Sequence, residues 1–144
     1  MDSRFDEDET TPAFSGISPA HCTELLQTQT VGRVAWQTAD GPEILPVTYT
    51  WHENSVIFRT SPDGPLSEMA RTTAVAFEID EVDQVRRHGW SVVVHGQAQE
   101  VAEPDRLAQV WPVADVPWAA GVRNLFIQIT PTRLSGRMVA ARPH

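Results

Sequence analysis

The chain has 144 residues, one cysteine and a formal net charge of −8. A single cysteine excludes an intrachain disulfide framework and a thiolate metal cluster. The acidic balance disfavours nucleic acid as a partner, because binding to a phosphate backbone needs a basic surface. All eleven basic residues are arginine, which excludes Schiff-base chemistry at a lysine amine.

The N-terminal residues are acidic rather than basic and then apolar, so they do not read as a secretory signal. No apolar run approaches the roughly 20 residues that a membrane helix requires. We therefore expect a cytoplasmic protein with no membrane or nucleic-acid partner. Residues 1–16 are expected to be a disordered acidic tail, and residues 17–140 to form one folded domain.

Apolar alternation and turn residues predict a mainly β fold, a small antiparallel barrel of six or seven strands with short helices. The predicted helices begin at Pro19, Pro65 and Pro104. The predicted strands are Val31–Thr38, Glu43–Trp51, Ser55–Thr60, Ala74–Asp80, Gly89–Val101, Leu125–Thr130 and Arg133–Val139. Pro46 predicts a sheet edge or a bulge, since proline cannot donate to a ladder.

Two tight turns set the predicted pairing of the first three strands. Centring the first on Asp40 and Gly41 pairs Trp36 with Leu45, and centring the second on Glu53 and Asn54 pairs Tyr49 with Phe58. One face then collects apolar side chains, and the other carries Thr48, Thr50 and Arg59.

The only candidate binding site derived from residue chemistry is a strand end. A guanidinium and two hydroxyls from Arg59, Thr60 and Ser61, followed by amides of the helix near Pro65, would suit a phosphate. The alternative interpretation is a solvated surface charge, because Asp63 nearby would repel an anion. No sequence pattern supports a Rossmann site, a P-loop, a hydrolase elbow or a metal centre.

The segments GRVAW, PVTY, VIFRTSP, AVAFEID, GWSVVVHGQAQEV and LSGRMV, in this order and spacing, resemble the pyridoxamine 5′-phosphate oxidase-like, FMN-binding split-barrel family, in its short actinobacterial form. The resemblance runs from Ser18 to Val139. It implies a homodimeric split β-barrel with two flavin sites at the subunit interface, a small-molecule substrate and FMN as cofactor.

The resemblance also implies which residues would bind the cofactor. The segment with Pro46, Val47, Thr48 and Tyr49 would lie along the isoalloxazine ring. The phosphate and ribityl chain would lie at Arg59, Thr60, Ser61 and Leu66. Ser91 would reach the flavin from the long strand, and Trp118 would approach it from the partner subunit.

Two departures from the family pattern bear on function. Pro65 stands where the family commonly has a lysine, and the C-terminal segment lacks the family's basic and aromatic pattern for pyridoxamine phosphate. The implied function is an FMN-dependent oxidoreductase acting on an unidentified small molecule. The alternatives are a deazaflavin-dependent reductase, with Arg33, Arg86 and Arg87 as candidates for a basic groove, and a non-catalytic flavin- or haem-binding protein.

Overall fold

The computed structural model describes residues 13–71, 73–114 and 124–140. The helices are α1 (Pro19–Leu26), a 3₁₀ helix (Pro65–Ala70) and α2 (Pro104–Val110). The strands are β1 (Ala13–Gly16), β2 (Val31–Thr38), β3 (Gly41–His52), β4 (Ser55–Thr60), β5 (Thr73–Asp83), β6 (His88–Glu100) and β7 (Leu125–Ala140). From α1 to α2, the elements end within a few residues of the predicted positions.

The strands form one antiparallel sheet that closes into a barrel. Along the sheet the order is β1-β7-β4-β3-β2-β5-β6, and β6 also pairs with β7 to close the ring. Strand β1 is attached to the far end of β7, where Ala13 pairs with Ala140. This architecture confirms the predicted mainly β, antiparallel split barrel with short helices.

The barrel interior is apolar because side chains of one parity point inward on every strand. Helix α1 inserts Cys22 and Leu26, and the 3₁₀ helix inserts Leu66 and Met69. The strands contribute the remaining buried members: Val34, Trp36, Val47, Tyr49, Val56, Phe58, Val75, Phe77, Ile79, Val92, Val94, Ala98, Ile127 and Ile129. The predicted core role of Cys22 is confirmed, since it is fully buried.

Strand β7 is continuous, where two separate strands were predicted. The ladder with β6 shifts register between His95 and Gly96: His95 pairs with Arg133, whereas Gly96 pairs with Pro131. One extra residue, Thr132, is therefore accommodated in a β-bulge, and its hydroxyl donates to the His95 carbonyl at 3.0 Å. The bulge allows Pro131 and Thr132 to lie within one continuous strand, although their sequence predicts a break between two strands.

The first hairpin differs in register from the prediction. Thr38 pairs with Gly41, Trp36 with Glu43 and Val34 with Leu45, so the turn is centred on Ala39 and Asp40. Gly41 adopts a φ of +116°, just after the turn rather than within it. The shift is an even number of residues, so every side chain stays on its predicted face.

The second hairpin has the predicted register, with Trp51 opposite Val56 and Tyr49 opposite Phe58. Glu53 and Asn54 both have positive φ, as a two-residue turn of this kind requires.

The boundary of the folded domain lies earlier than predicted. Ala13–Gly16 was assigned to the disordered tail, but it pairs with β7 as β1. The sequence missed this strand because four residues are too few to show a period. Among the described residues, no helix has both the length and the hydropathy needed to cross a membrane.

Candidate functional site

The candidate site is a gap where β3 and β4 separate. Their ladder runs from the His52–Ser55 pair to the Tyr49–Phe58 pair and ends there. Among the described residues, the earlier half of β3 pairs only with β2, while Arg59 and Thr60 pair only with β7. The gap therefore has an unpaired strand edge on one side and the predicted phosphate-binding strand end on the other.

Main-chain groups on β3 line this gap. The Tyr49 amide donates to the Thr30 carbonyl at 2.9 Å, on the β2 side of the strand. Because main-chain groups alternate between the two sides of a strand, those of Thr48 and Pro46 point away from β2, towards the gap. Thr48 supplies a donor and an acceptor there, and Pro46 supplies an acceptor. The predicted edge position of Pro46 is confirmed.

Arg59 is held by two aromatic rings. Its guanidinium carbon lies 5.5 Å from the ring centroid of Trp111 and 5.1 Å from that of Phe126. Phe126 is the ladder partner of Arg59 on β7, and its ring lies 4.8 Å from that of Trp111. These cation–π contacts keep the guanidinium beside the strand end instead of leaving it a mobile surface charge.

The turn after β4 offers fewer free amides than predicted. The amide of Asp63 donates to the Ser61 hydroxyl at 3.2 Å, and that of Gly64 donates to the Ser61 carbonyl at 3.2 Å. The Ser67 amide donates to the Gly64 carbonyl at 3.0 Å, as the first bond of the 3₁₀ helix. The prediction that unused amides at this turn would bind a phosphate is therefore largely wrong.

Three predicted cofactor-contacting residues place their side chains in the core. Val47, Tyr49 and Leu66 are buried. The Tyr49 hydroxyl donates to the Leu26 carbonyl at 2.6 Å, and its ring meets Phe77 edge-on at 4.8 Å. Burial raises the pKa of Tyr49. The barrel interior takes every second side chain of β3 and also that of Leu66 from the 3₁₀ helix, so only the main chain of these residues is left to contact a ligand. Thr60 is also almost fully buried.

Ser91 lies elsewhere on the molecule. It pairs with Asp80 on β5 and with Arg137 on β7, and it lines a groove of about 500 Å³ beside the β5–β6 turn. Trp90, His88 and other turn residues line the same groove. Within this chain the structure does not bring Ser91 to Arg59. Trp118 lies outside the described residues.

Helix α2 is the part of the site that the sequence did not indicate. Arg106 donates from Nε to Gln128 Oε1 at 3.0 Å and forms a 2.7 Å ion pair with Glu53. The bond from Arg106 lowers the pKa of Glu53. These contacts fasten α2 across the β3–β4 hairpin and place Trp111, at the end of the helix, beside Arg59. No local signal in the sequence reveals this contact, since it depends on how α2 packs.

Two of the three arginines considered for a basic groove are in ion pairs. Arg33 lies 3.3 Å from Glu78 and 3.7 Å from Asp80. Arg86 lies 3.8 Å from Asp83. Burial, reinforced by Asp80, raises the pKa of Glu78 to about 7, against the effect of Arg33. Arg33 on β2 and Arg86 in the turn after β5 are therefore both neutralised by neighbouring carboxylates.

Comparison with known proteins agrees with the fold. Residues 18–138 match the family model described as pyridoxamine 5′-phosphate oxidase. An uncharacterized protein of Mycobacterium tuberculosis is 34% identical over 122 residues, which cover 81% of this chain and 80% of the relative.

Two solved structures are similar in both sequence and fold. A putative pyridoxamine 5′-phosphate oxidase from Corynebacterium glutamicum is 25% identical with a TM-score of 0.73, over 91% of this chain and 96% of that one. The FAD-binding protein from Mycobacterium smegmatis is 26% identical with a TM-score of 0.74, over 87% and 98%. This chain belongs to the pyridoxamine 5′-phosphate oxidase family.

Proposed function

We propose that this protein binds a flavin, FMN in the first instance, in the gap between β3 and β4, and acts as an oxidoreductase on a small molecule. The observation that carries the proposal is the β3 edge beside Arg59, which has no partner strand in the part of the chain that the structure describes. The name of the M. smegmatis structure, an FAD-binding protein, supports flavin as the ligand class.

The residues at the gap fit the parts of a flavin. The pyrimidine end of an isoalloxazine ring presents donors and acceptors along one edge, and the main chain of Thr48 and Pro46 offers complementary groups. Arg59 offers a charged donor for a phosphate. When bound, a flavin supplies hydride and electron transfer, and the protein supplies orientation and anchoring. A reduced nicotinamide is the proposed electron donor.

A homodimer would bring together residues that one chain keeps apart. Arg59 pairs with Phe126 on β7, and Ser91 pairs with Arg137 on the same strand. These two partners lie eleven positions apart along β7. At about 3.3 Å per residue this is a path of roughly 36 Å. We propose that Ser91 of one subunit meets Arg59 of the other across a two-fold interface, with the flavin between them.

The choice of flavin rests on the charges nearby. A deazaflavin with a long acidic tail needs a cationic groove, and Arg33 and Arg86 are already paired with carboxylates.

Pro65 and Asp63 near the phosphate end favour a second candidate function, a weak flavin binder without catalytic activity. The two candidates differ in flavin retention and in nicotinamide oxidation.

The test is flavin retention after incubation with FMN or FAD and desalting, measured by visible absorbance. The Arg59→Ala variant should bind FMN at least about tenfold more weakly, the effect of losing one charge-assisted contact. Arg86→Ala, an exposed arginine at the β5–β6 turn, is the matched control and should bind normally. If Arg59→Ala binds FMN as tightly as Arg86→Ala does, Arg59 is not part of the site.

A further inference from the structure

Helix α2 lies on the outer face of β4 and β7, where it covers a second apolar cluster outside the barrel. The cluster consists of Ile57, Val101, Leu107, Val110, Ala114 and Phe126. The helix has seven residues, and a helix this short is not stable without contacts to the rest of the protein. Apolar contacts are non-directional, so the cluster by itself does not fix how far along the strands the helix lies.

Arg106 fixes the first turn of α2 by directional contacts. Its Nε donates to Gln128 Oε1 at 3.0 Å, and its Nη1 lies 2.7 Å from Glu53 Oε1. The same Nη1 also donates to Gln109 Oε1 at 3.3 Å. The side chain is only 23% exposed, so these contacts are partly shielded from water. Because hydrogen bonds require a narrow range of distance and angle, they hold this end of the helix at one position on β7.

The spacing of contacts on the helix matches the spacing on the strand. Trp111 closes α2 with helical backbone angles and lies five residues after Arg106, about 7.5 Å along a helix axis. Gln128 and Phe126 lie two residues apart on β7, which is about 6.6 Å along a strand. Since the two spacings agree, the bond from Arg106 to Gln128 sets the position at which Trp111 meets Phe126. At that position the Trp111 ring also lies 5.5 Å from the guanidinium carbon of Arg59.

We propose that Arg106 is a positioning residue for the phosphate end of the flavin site. It holds α2 in register with β7, so that Trp111 keeps the guanidinium of Arg59 in place for a phosphate. This inference rests on the proposed function, because it assigns the flavin phosphate to Arg59. Its consequence is specific to the phosphate: affinity for FMN depends on Arg106, whereas affinity for riboflavin, which has no phosphate, does not.

The first test needs no flavin. Aromatic ring currents shift the resonances of nearby protons, so the Nε–H resonance of Arg59 in ¹⁵N-labelled protein reports on the Trp111 ring. The Arg59→Ala variant identifies the resonance, and Trp111→Ala gives its position without the indole. Arg106→Gln should move it most of the way to that position. Arg33→Gln, the matched control, removes another arginine paired with a carboxylate and should not move it. An unmoved resonance in Arg106→Gln would overturn the proposal.

The second test separates positioning from a general loss of structure, in variants whose folding is confirmed by thermal unfolding. Arg106→Gln should weaken FMN binding about two- to fivefold, the range expected for loss of the Trp111 contact, and leave riboflavin binding unchanged. In the Trp111→Ala background the same substitution should have no further effect. Arg106→Lys keeps a cation opposite Glu53 and should bind FMN more tightly than Arg106→Gln. Equal losses of FMN and riboflavin affinity would make Arg106 a purely structural residue and contradict the proposal.

Failure of the flavin site and failure of this inference are separate results. If the wild-type protein retains neither FMN nor FAD, the proposed function fails together with the phosphate part of the inference. The Arg59 resonance in Arg106→Gln then still decides whether Arg106 positions that guanidinium. If FMN binds and Arg106→Gln changes neither the resonance nor the affinity for FMN, only the role of Arg106 is wrong.

Discussion

The guanidinium of Arg59 lies 5.5 Å from the ring of Trp111, which joins the end of β4 to the end of α2. This contact turns a strand-end arginine into a positioned group. We predict that Trp111→Ala weakens FMN binding about two- to fivefold, because an exposed cation–π contact contributes about 0.5–1 kcal/mol. Trp111→Phe keeps a ring and should bind almost normally. If the alanine variant binds FMN as wild type does, the contact does not prepare Arg59 for a phosphate.

A substitution at Tyr49 distinguishes a role in the core from a role in cofactor binding. The Tyr49→Phe variant loses the hydroxyl that donates to Leu26, which should lower the free energy of unfolding by about 1–3 kcal/mol, because a buried carbonyl is left unpaired. Since the side chain points into the barrel, FMN affinity of the folded protein should stay within about twofold of wild type. Urea unfolding and FMN titration measure the two effects, and a large loss of affinity at unchanged stability would reverse the assignment.

Glu78 gives stability a pH dependence. Its pKa is about 7 in the folded protein against 4.5 ordinarily, so between these values the folded state holds more protons than the unfolded state. The contribution of Glu78 to the free energy of unfolding is therefore complete below about pH 4.5 and falls as pH rises through 7. Urea unfolding at several pH values should show this decline in wild type relative to Glu78→Gln. Parallel curves for the two proteins would contradict it.

The bulge in the barrel wall depends on Gly96. A Cβ at this position would overlap the carbonyl oxygen of Thr130, whereas a Cβ at Gly16 would meet nothing within 4 Å. We expect Gly96→Ala to lower the free energy of unfolding by about 1–3 kcal/mol and Gly16→Ala to change it little. Equal stability of the two variants, measured by thermal unfolding, would show that the β6–β7 ladder adjusts freely there.

The proposed dimer can be tested by complementation. Arg59→Ala and Ser91→Trp should each reduce FMN binding as homodimers. If a site takes Arg59 from one subunit and Ser91 from the other, mixing the variants after unfolding and refolding them together creates dimers with one intact site. Bound flavin should then rise towards one per two subunits in those mixed dimers. No recovery, with light scattering confirming a dimer, would place both residues in the same subunit's site or outside any site.

The sequence predicted those parts of the fold that local chemistry determines. Val31–Thr38 and Ser55–Thr60 have their predicted limits, because alternation and turn residues bound both strands. The predicted register of the first hairpin is wrong by two positions, because Asp40-Gly41 resembles a two-residue turn while the actual turn uses Ala39 and Asp40. An even slip preserves the faces, so the core was predicted correctly despite it.

The candidate site was predictable only in part. Arg59 was predictable because it is a charge near the end of an otherwise apolar strand, and Pro46 because proline favours a sheet edge. The contact with Trp111 and the contacts of Arg106 both depend on how α2 packs against the barrel, which no local pattern encodes. The buried position of Tyr49 follows from strand parity, and the family resemblance alone had assigned it to the cofactor.

The most direct measurement of the central claim is a titration of the protein with FMN followed by visible absorbance, in wild type, Arg59→Ala and Arg86→Ala. We expect wild type and Arg86→Ala to retain about one FMN per subunit after desalting, and Arg59→Ala to release it, because Arg59 supplies a charge-assisted contact to the phosphate. Absence of retained FMN and of retained FAD in the wild-type protein would contradict the proposed flavin site.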